Sequence, residues 1–222
     1  STEFLMYRKI EEEFKKWKND YKMPLMLVGA RQTGKTYILE EFCKDNFDNY
    51  VYINLDKEEN IAEIFENTID PDTIIEKIEI IKNVVINPDD TILFLDEIQV
   101  SERAITSLKY FCENAPEYHI AVAGSLLGIG MHQGSGFPVG KVDELRLYPM
   151  SFQEFLWAMN EEALAGYLED INNPEINLFR AHYIELLKQY YVIGGMPEVV
   201  DNFRMNHDYD QVRACRRKGL PA

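Results

Sequence analysis

Eight consecutive residues carry the clearest chemistry in the chain: Gly29-Ala30-Arg31-Gln32-Thr33-Gly34-Lys35-Thr36, a complete GxxxxGK[ST] pattern. Glycines let a backbone wrap so that its N–H groups point at phosphate oxygens, and the N-terminus of a following helix adds a favourable dipole. The Lys35 ammonium is then expected to bridge the β- and γ-phosphates of a nucleoside triphosphate, with the Thr36 hydroxyl ligating Mg²⁺. The nucleotide cradle is assigned to Gly29, Ala30, Arg31, Gln32, Thr33, Gly34, Lys35, Thr36 and Tyr37, with the Arg31 side chain facing solvent. The competing reading is a glycine turn ahead of an ordinary helix.

A second signal is Ile92-Leu93-Phe94-Leu95-Asp96-Glu97, an apolar run that ends in two carboxylates. In parallel sheets ligands gather at the carboxyl ends of strands, so an acidic pair there complements a phosphate loop. Asp96 is expected to hold Mg²⁺ through its water, and Glu97 to polarise a water for attack on the γ-phosphate. A third apolar run ends at Gly124-Ser125, where Ser125 either reports the γ-phosphate or caps a helix. Glu97, Lys35 and Ser125 are therefore the catalytic candidates, and Thr36 and Asp96 the metal candidates. Gln99 either touches the attacking water or caps the next helix. Arg103 and Arg146 are the candidates for an arginine finger, set against a surface or structural ion pair.

These groups need a scaffold, and the hydrophobic pattern supplies one. Leu5, Ile10, Phe14 and Trp17 predict an opening amphipathic helix over residues 4–17. Short apolar runs at 24–28, 50–54, 91–95, 118–123 and 142–147 predict five strands, and helical spacing fills the intervals between most of them. Asp70 reads as an N-cap with Pro71 at the first helical position. Residues 128–140 are glycine-rich and predict a loop. The alternation implies an α/β fold with parallel strands and right-handed crossovers. Beyond Pro149 the pattern is helical throughout: Ser151 and Glu154 form a capping box, and Asn173-Pro174 opens a helix with Leu178, Ala181, Ile184 and Leu187 on one face. Gly194 to Pro197 ends that helix and starts the next.

Composition narrows the function classes. Of 222 residues, 46% are hydrophobic and 27% charged, a globular balance, and no apolar run approaches the ~20 residues of a spanning helix. A net charge of −15 repels phosphate backbones, which argues against general DNA binding. The local exception is Arg213, Arg216, Arg217 and Lys218, read as a solvated face or linker. Cys43, Cys112 and Cys215 are unpaired in pattern and read as buried thiols of a reducing cytoplasm, the first two on apolar helix faces. His119, His132, His182 and His207 make no metal-binding spacing. Met6 is read as the natural start, with Ser1–Leu5 a remnant.

Together GARQTGKT, LFLDEIQ, AGSLLG, FPVGKVDELRLYPMSFQEFL and GGMPEVV make the chain resemble, from Met6 to Phe203, a family of archaeal and bacterial AAA-type ATPases close to the signal-transducing clade. The resemblance implies a P-loop ATPase core over residues 1–149 with strand order 5-1-4-3-2. A small helical or winged-helix lid over 150–222 would follow, with ATP and Mg²⁺ as cofactors. It identifies Asp96 and Glu97 with the family's acidic pair and Ser125 with its first sensor. It places Tyr7, Arg8 and the Gly194–Pro197 stretch near the adenine. Relatives continue into a C-terminal domain of poorly defined, nuclease-like function, so the chain is expected to be truncated. ATP and ADP are the implied ligands, with a homo-oligomer, or a protein or DNA partner reached through that missing domain, and no membrane. The function expected is ATP binding and hydrolysis by a cytoplasmic switch or motor. The alternative is a nucleotide-dependent binding module with negligible turnover. A GTPase is disfavoured because no NKxD-type guanine-reading motif follows the acidic pair, and a small-molecule kinase stays open.

Overall fold

The computed structural model describes residues 6–131, 134 and 136–218, with side chains described as far as Ala214. The expected remnant Ser1–Leu5, His132, and the side chains of Cys215, Arg216, Arg217 and Lys218 lie outside the described residues. By compactness the chain divides into two units, one of residues 12–31 and 35–147, the other of residues 1–11, 32–34 and 148–222.

The first unit is a five-stranded parallel sheet in the order β2-β3-β4-β1-β5, the order expected. The strands are β1 (Leu25–Gly29), β2 (Asn49–Asn54), β3 (Thr91–Asp96), β4 (His119–Ser125) and β5 (Asp143–Leu147). β1 and β3 are buried along their whole length, as are the middle residues of β4. That explains why these runs are continuously apolar rather than alternating. β5, at an edge, alternates instead, and only Leu147 is buried. Helices α1 (Ile10–Asn19), α2 (Lys35–Asn46), α3 (Glu59–Asn67), α4 (Pro71–Lys82) and α5 (Glu102–Asn114) surround the sheet. On one face Ile61, Phe65, Ile74, Ile78, Leu108 and Phe111 pack in one cluster with Met26, Val28, Leu93 and Leu95. On the other, Phe14 of α1 meets Phe42 of α2 with ring centroids 5.2 Å apart.

Local chemistry sets the helix ends. Asp70 caps α4 by accepting from Thr73 N, ahead of Pro71, as expected, and Ser101 caps α5 by accepting from Ala104 N. The opening helix begins at Ile10, later than the pattern at Leu5 implied, because residues 6–8 leave helical geometry where Arg8 turns inward. The predicted loop over 128–140 begins with one more helical turn, α6 (Leu126–Gly130), since Ser125 Oγ accepts from Gly128 N and satisfies its first turn. Cys43 is buried and burial pushes its thiol up to about 12. Cys112 is only half-buried, a correction to the expectation for both.

In the second unit every element from Tyr148 onward is helical among the described residues, the helical of the two alternatives anticipated: α7 (Phe152–Ala158), α8 (Glu162–Tyr167), α9 (Arg180–Ile193), α10 (Pro197–Asn206) and α11 (Tyr209–Lys218). The capping box at Ser151 and Glu154 is present in both directions. Met150, Phe155, Ile193, Val200 and Phe203 form one cluster, and Leu156, Leu164, Tyr183 and Leu186 another. The face predicted for 178–187 is wrong in phase. Tyr183, Leu186 and Ile193 are buried while Leu178 and Ile184 are exposed. Leu178 falls in a 3₁₀ turn (Pro174–Phe179), and within α9 apolar residues lie on more than one side, so spacing alone chose the wrong stripe. Among the described residues no helix is long and apolar enough to cross a membrane.

Candidate functional site

The phosphate-loop pattern folds as its composition requires. β1 ends at Gly29, the chain turns through Ala30–Gly34, and α2 starts at Lys35. Two residues in the turn take left-handed backbone, Gln32 at φ 65° and Gly34 at φ 88°. Glycine does this freely; a glutamine pays roughly 1–3 kcal/mol for a sparsely populated region, strain that characteristically gathers at ligand sites. Arg31 is exposed, as expected, and Tyr37 is half exposed.

Lys35 Nζ lies back across the loop, donating to the carbonyls of Gly29 at 3.1 Å and Ala30 at 2.6 Å. Desolvation lowers the Lys35 pKa, opposed by the charges of Glu97 and Asp96, while Arg31 lowers it further. A partly dehydrated ammonium tethered only by carbonyls is suited to an anion, which would replace weak dipoles with full charge.

The adjacent strands bring the carboxylates to the same end of the sheet. Thr36 Oγ1, in the first turn of α2, donates to Asp96 Oδ2 at 2.7 Å. Tyr52 Oη on β2 donates to the same oxygen at 3.0 Å, and Asp96 Oδ1 accepts from Glu97 N at 2.9 Å. Asp96 is thus buried with both oxygens engaged. Burial, ahead of the neighbouring charges, pushes the Tyr52 hydroxyl up to about 12, so it stays a donor at neutral pH. Tyr52 was not anticipated from the sequence. Its signal was available only through strand pairing: Tyr52 faces Phe94 and Asn54 faces Asp96 in the β2–β3 register, which puts Tyr52 and Asp96 on one face at diagonal positions.

Glu97 follows at φ 54°, a second strained non-glycine, and opens a 3₁₀ turn. Its carboxylate accepts from Gln99 Nε2, and Gln99 Oε1 accepts from Ser125 N at 3.2 Å. Gln99 therefore does not cap the next helix; Ser101 does. Ser125 ends β4 beside β1, paired in register with Gly29. Of the finger candidates, Arg103 Nε donates to the Phe65 carbonyl at 2.8 Å and Arg146 Nε pairs with Glu144 at 3.0 Å.

In the second unit, Arg8 is a buried hub. Its Nε pairs with Glu154 at 2.8 Å, Nη1 reaches the Thr33 carbonyl at 3.2 Å and Nη2 the Tyr148 carbonyl at 2.6 Å. Tyr7 packs edge-on to Trp157.

The donor set fits a nucleotide with magnesium. Thr36 and Asp96 present hard oxygens at one point, and Mg²⁺ accepts one or two protein ligands completed by water and phosphate. Among the described residues no cluster of three or more His, Cys, Asp or Glu could hold a metal alone.

Residues 21–156 match the family described as AAA domain. No curated protein matches the chain. Among solved structures, the chain is similar to a Walker-type ATPase of Pyrococcus abyssi, with TM-score 0.57 and 16% identity, covering 96% of this chain and 72% of that one. It also resembles the replication initiator DnaA bound to AMPPCP and single-stranded DNA, with TM-score 0.51 and 15% identity, over 93% of this chain and 63% of that one. RuvB of Thermotoga maritima gives TM-score 0.50 and 12% identity, again over 93% of this chain and 63% of that one. At these identities the likeness is one of fold.

Proposed function

The chain belongs to the AAA domain family, and we propose that it binds ATP with Mg²⁺ and hydrolyses it, acting as a nucleotide-driven switch for a partner. The observation that carries this reading is the convergence of Thr36 and Asp96 at 2.7 Å beside Lys35, at the mouth of a loop whose backbone is already turned for phosphate. In this reading residues 29–37 hold the triphosphate, and Lys35 leaves the loop carbonyls to meet its β- and γ-oxygens. Thr36 and Asp96 hold the metal, Asp96 through its water. When bound, Mg²⁺ neutralises charge that develops on the phosphate oxygens. Glu97 takes the proton of the attacking water, and Ser125 sits at the end of the strand beside the loop, where a γ-phosphate oxygen could accept from its hydroxyl.

The fold likeness to DnaA, a protein solved with AMPPCP, is in keeping with the nucleotide assignment. Partners are proposed to be a second copy of the chain, or a protein or DNA reached through a further domain.

The test is phosphate release from ATP by the wild type and by Glu97→Gln, with binding of a fluorescent ATP analogue measured in parallel. Hydrolysis that falls roughly 100-fold or more in Glu97→Gln while binding persists supports the reading. A folded wild type that binds ATP and releases no phosphate above background would leave only a binding module.

A further inference from the structure

Gln99 joins two groups on different strands. Its Nε2 donates to the Glu97 carboxylate, its Oε1 accepts from Ser125 N at 3.2 Å, and the orientation of the amide is fixed by chemistry. A carboxylate only accepts and a backbone N–H only donates, so one placement of the amide satisfies both.

The surroundings are shaped to hold this side chain. A Cβ added at Gly124 would come within 2.6 Å of Gln99 Oε1, and one at Gly128 within 2.5 Å of Gln99 Cγ. The two glycines of the AGSLLG segment therefore clear the berth in which Gln99 lies. Ile98 and Ile129, both buried, approach the same place, within 2.9 Å and 2.8 Å of the Gly124 position. Glu97 itself stands on strained left-handed backbone at φ 54°, ψ 41°, which orients the start of its side chain and leaves the tip to be fixed by Gln99.

We propose that Gln99 is a positioning residue that clamps Glu97 and ties it to the end of β4, so that the general base is held in one orientation. The inference rests on the proposed hydrolytic reading, in which Glu97 acts on water. The clamp reaches β4 at Ser125, whose N–H holds Gln99 while its Oγ caps α6. Held at its tip by the amide, the Glu97 carboxylate keeps one orientation toward the attacking water; without the amide the tip is free to rotate. No other common side chain of this length both donates to a carboxylate and accepts from an N–H.

The experiment compares the wild type with Gln99→Leu and Gly128→Ala in steady-state ATP hydrolysis and analogue binding. It also follows the Gln99 side-chain amide by ¹⁵N–¹H spectroscopy, assigned by its loss in Gln99→Leu. A positioning role predicts kcat lower by roughly 100-fold in Gln99→Leu, with KM and analogue affinity within about twofold of the wild type, and a smaller loss in the same direction for Gly128→Ala. In the spectra, the amide must move on Glu97→Ala. Wild-type kcat in a folded Gln99→Leu overturns the proposal, and so does an amide indifferent to Glu97→Ala. The resonance does not depend on turnover. A wild type without phosphate release therefore sinks only the hydrolytic reading, and the clamp still stands or falls on the amide.

Discussion

Thr36 and Asp96, sixty positions apart in the chain, meet through a 2.7 Å hydrogen bond between hydroxyl and carboxylate. The bond exists because α2 begins directly after the loop that leaves β1, while β3 ends one strand further across the sheet beyond β4. Both oxygens are hard, so the pair that hydrogen-bonds here is also the pair proposed to hold Mg²⁺.

Removing the hydroxyl tests that dual use. Thr36→Val keeps the shape and deletes the donor, and Asp96 retains Tyr52 and Glu97 N as partners. Folding should survive with a melting shift of a few degrees. The Mg²⁺-dependent part of ATP affinity should fall by at least about tenfold, the equivalent of one hydrogen bond to a charged group. Titration of a fluorescent ATP analogue with and without EDTA reads this directly; an unchanged Mg²⁺ response would remove Thr36 from the metal site.

Tyr52→Phe isolates the other donor to Asp96 Oδ2. Groups that orient a metal-binding carboxylate characteristically change metal affinity or activity by roughly 10–100-fold when deleted. The hydroxyl is partly exposed, so the lower end is expected: about a tenfold loss of Mg²⁺-dependent turnover with ATP binding in EDTA unaltered. Equal losses in both conditions would mean that Tyr52 supports the loop and not the metal.

The contrast between Thr36 and Tyr52 explains what the sequence made legible. Thr36 belongs to a contiguous eight-residue pattern whose strand–turn–helix setting is fixed by neighbours in the chain. The five strands and their order follow similarly from local apolar runs and a resemblance carried by five motifs. Tyr52, Gln99 and Arg8 act across the sheet or between distant segments, and no local pattern records which strand will lie beside which. The face of α9 differs for a related reason: Ile184 and Leu187 share the helix with Tyr183, Leu186 and Ile193, and which apolar stripe is buried depends on neighbours that local spacing does not record.

Arg8 and Glu154 form a buried ion pair, with side-chain exposures of 5% and 10%. Glu154 also accepts from the backbone of Lys9 and Ser151, so neither charge can turn to water when its partner is lost. Arg8→Met should destabilise the protein by about 3–5 kcal/mol, and Glu154→Gln by somewhat less because an amide still serves part of the capping box. The double variant should cost clearly less than the two single losses added, since it leaves no unpaired buried charge. Urea unfolding of the four proteins measures the cycle, and strict additivity would show that the pair is not coupled.

His119 gives the fold a pH response that can be separated from the carboxylates. Its ring lies against Tyr21 at 4.4 Å and Phe47 at 5.3 Å between centroids, and its Nδ1 is 3.2 Å from the Pro88 carbonyl. Burial lowers its pKa below 6.5, and the nearby Lys18 charge acts in the same direction, against the Pro88 carbonyl, which raises it. The unfolded chain therefore binds a proton that the folded chain resists between 6.5 and the lower folded value. Stability from this group is fully present above pH 6.5 and declines as the pH drops through 6.5 toward the folded value. In His119→Phe the aromatic contacts with Tyr21 and Phe47 can persist while the titration is gone. Urea midpoints at pH 8, 7, 6 and 5 should show the wild type losing stability faster than His119→Phe below pH 7, with the two profiles parallel above it. The carboxylates titrate in both proteins, so the difference isolates His119. Profiles that stay parallel down to pH 5 would mean that the ring takes up its proton in the folded state without cost, against the burial that encloses it.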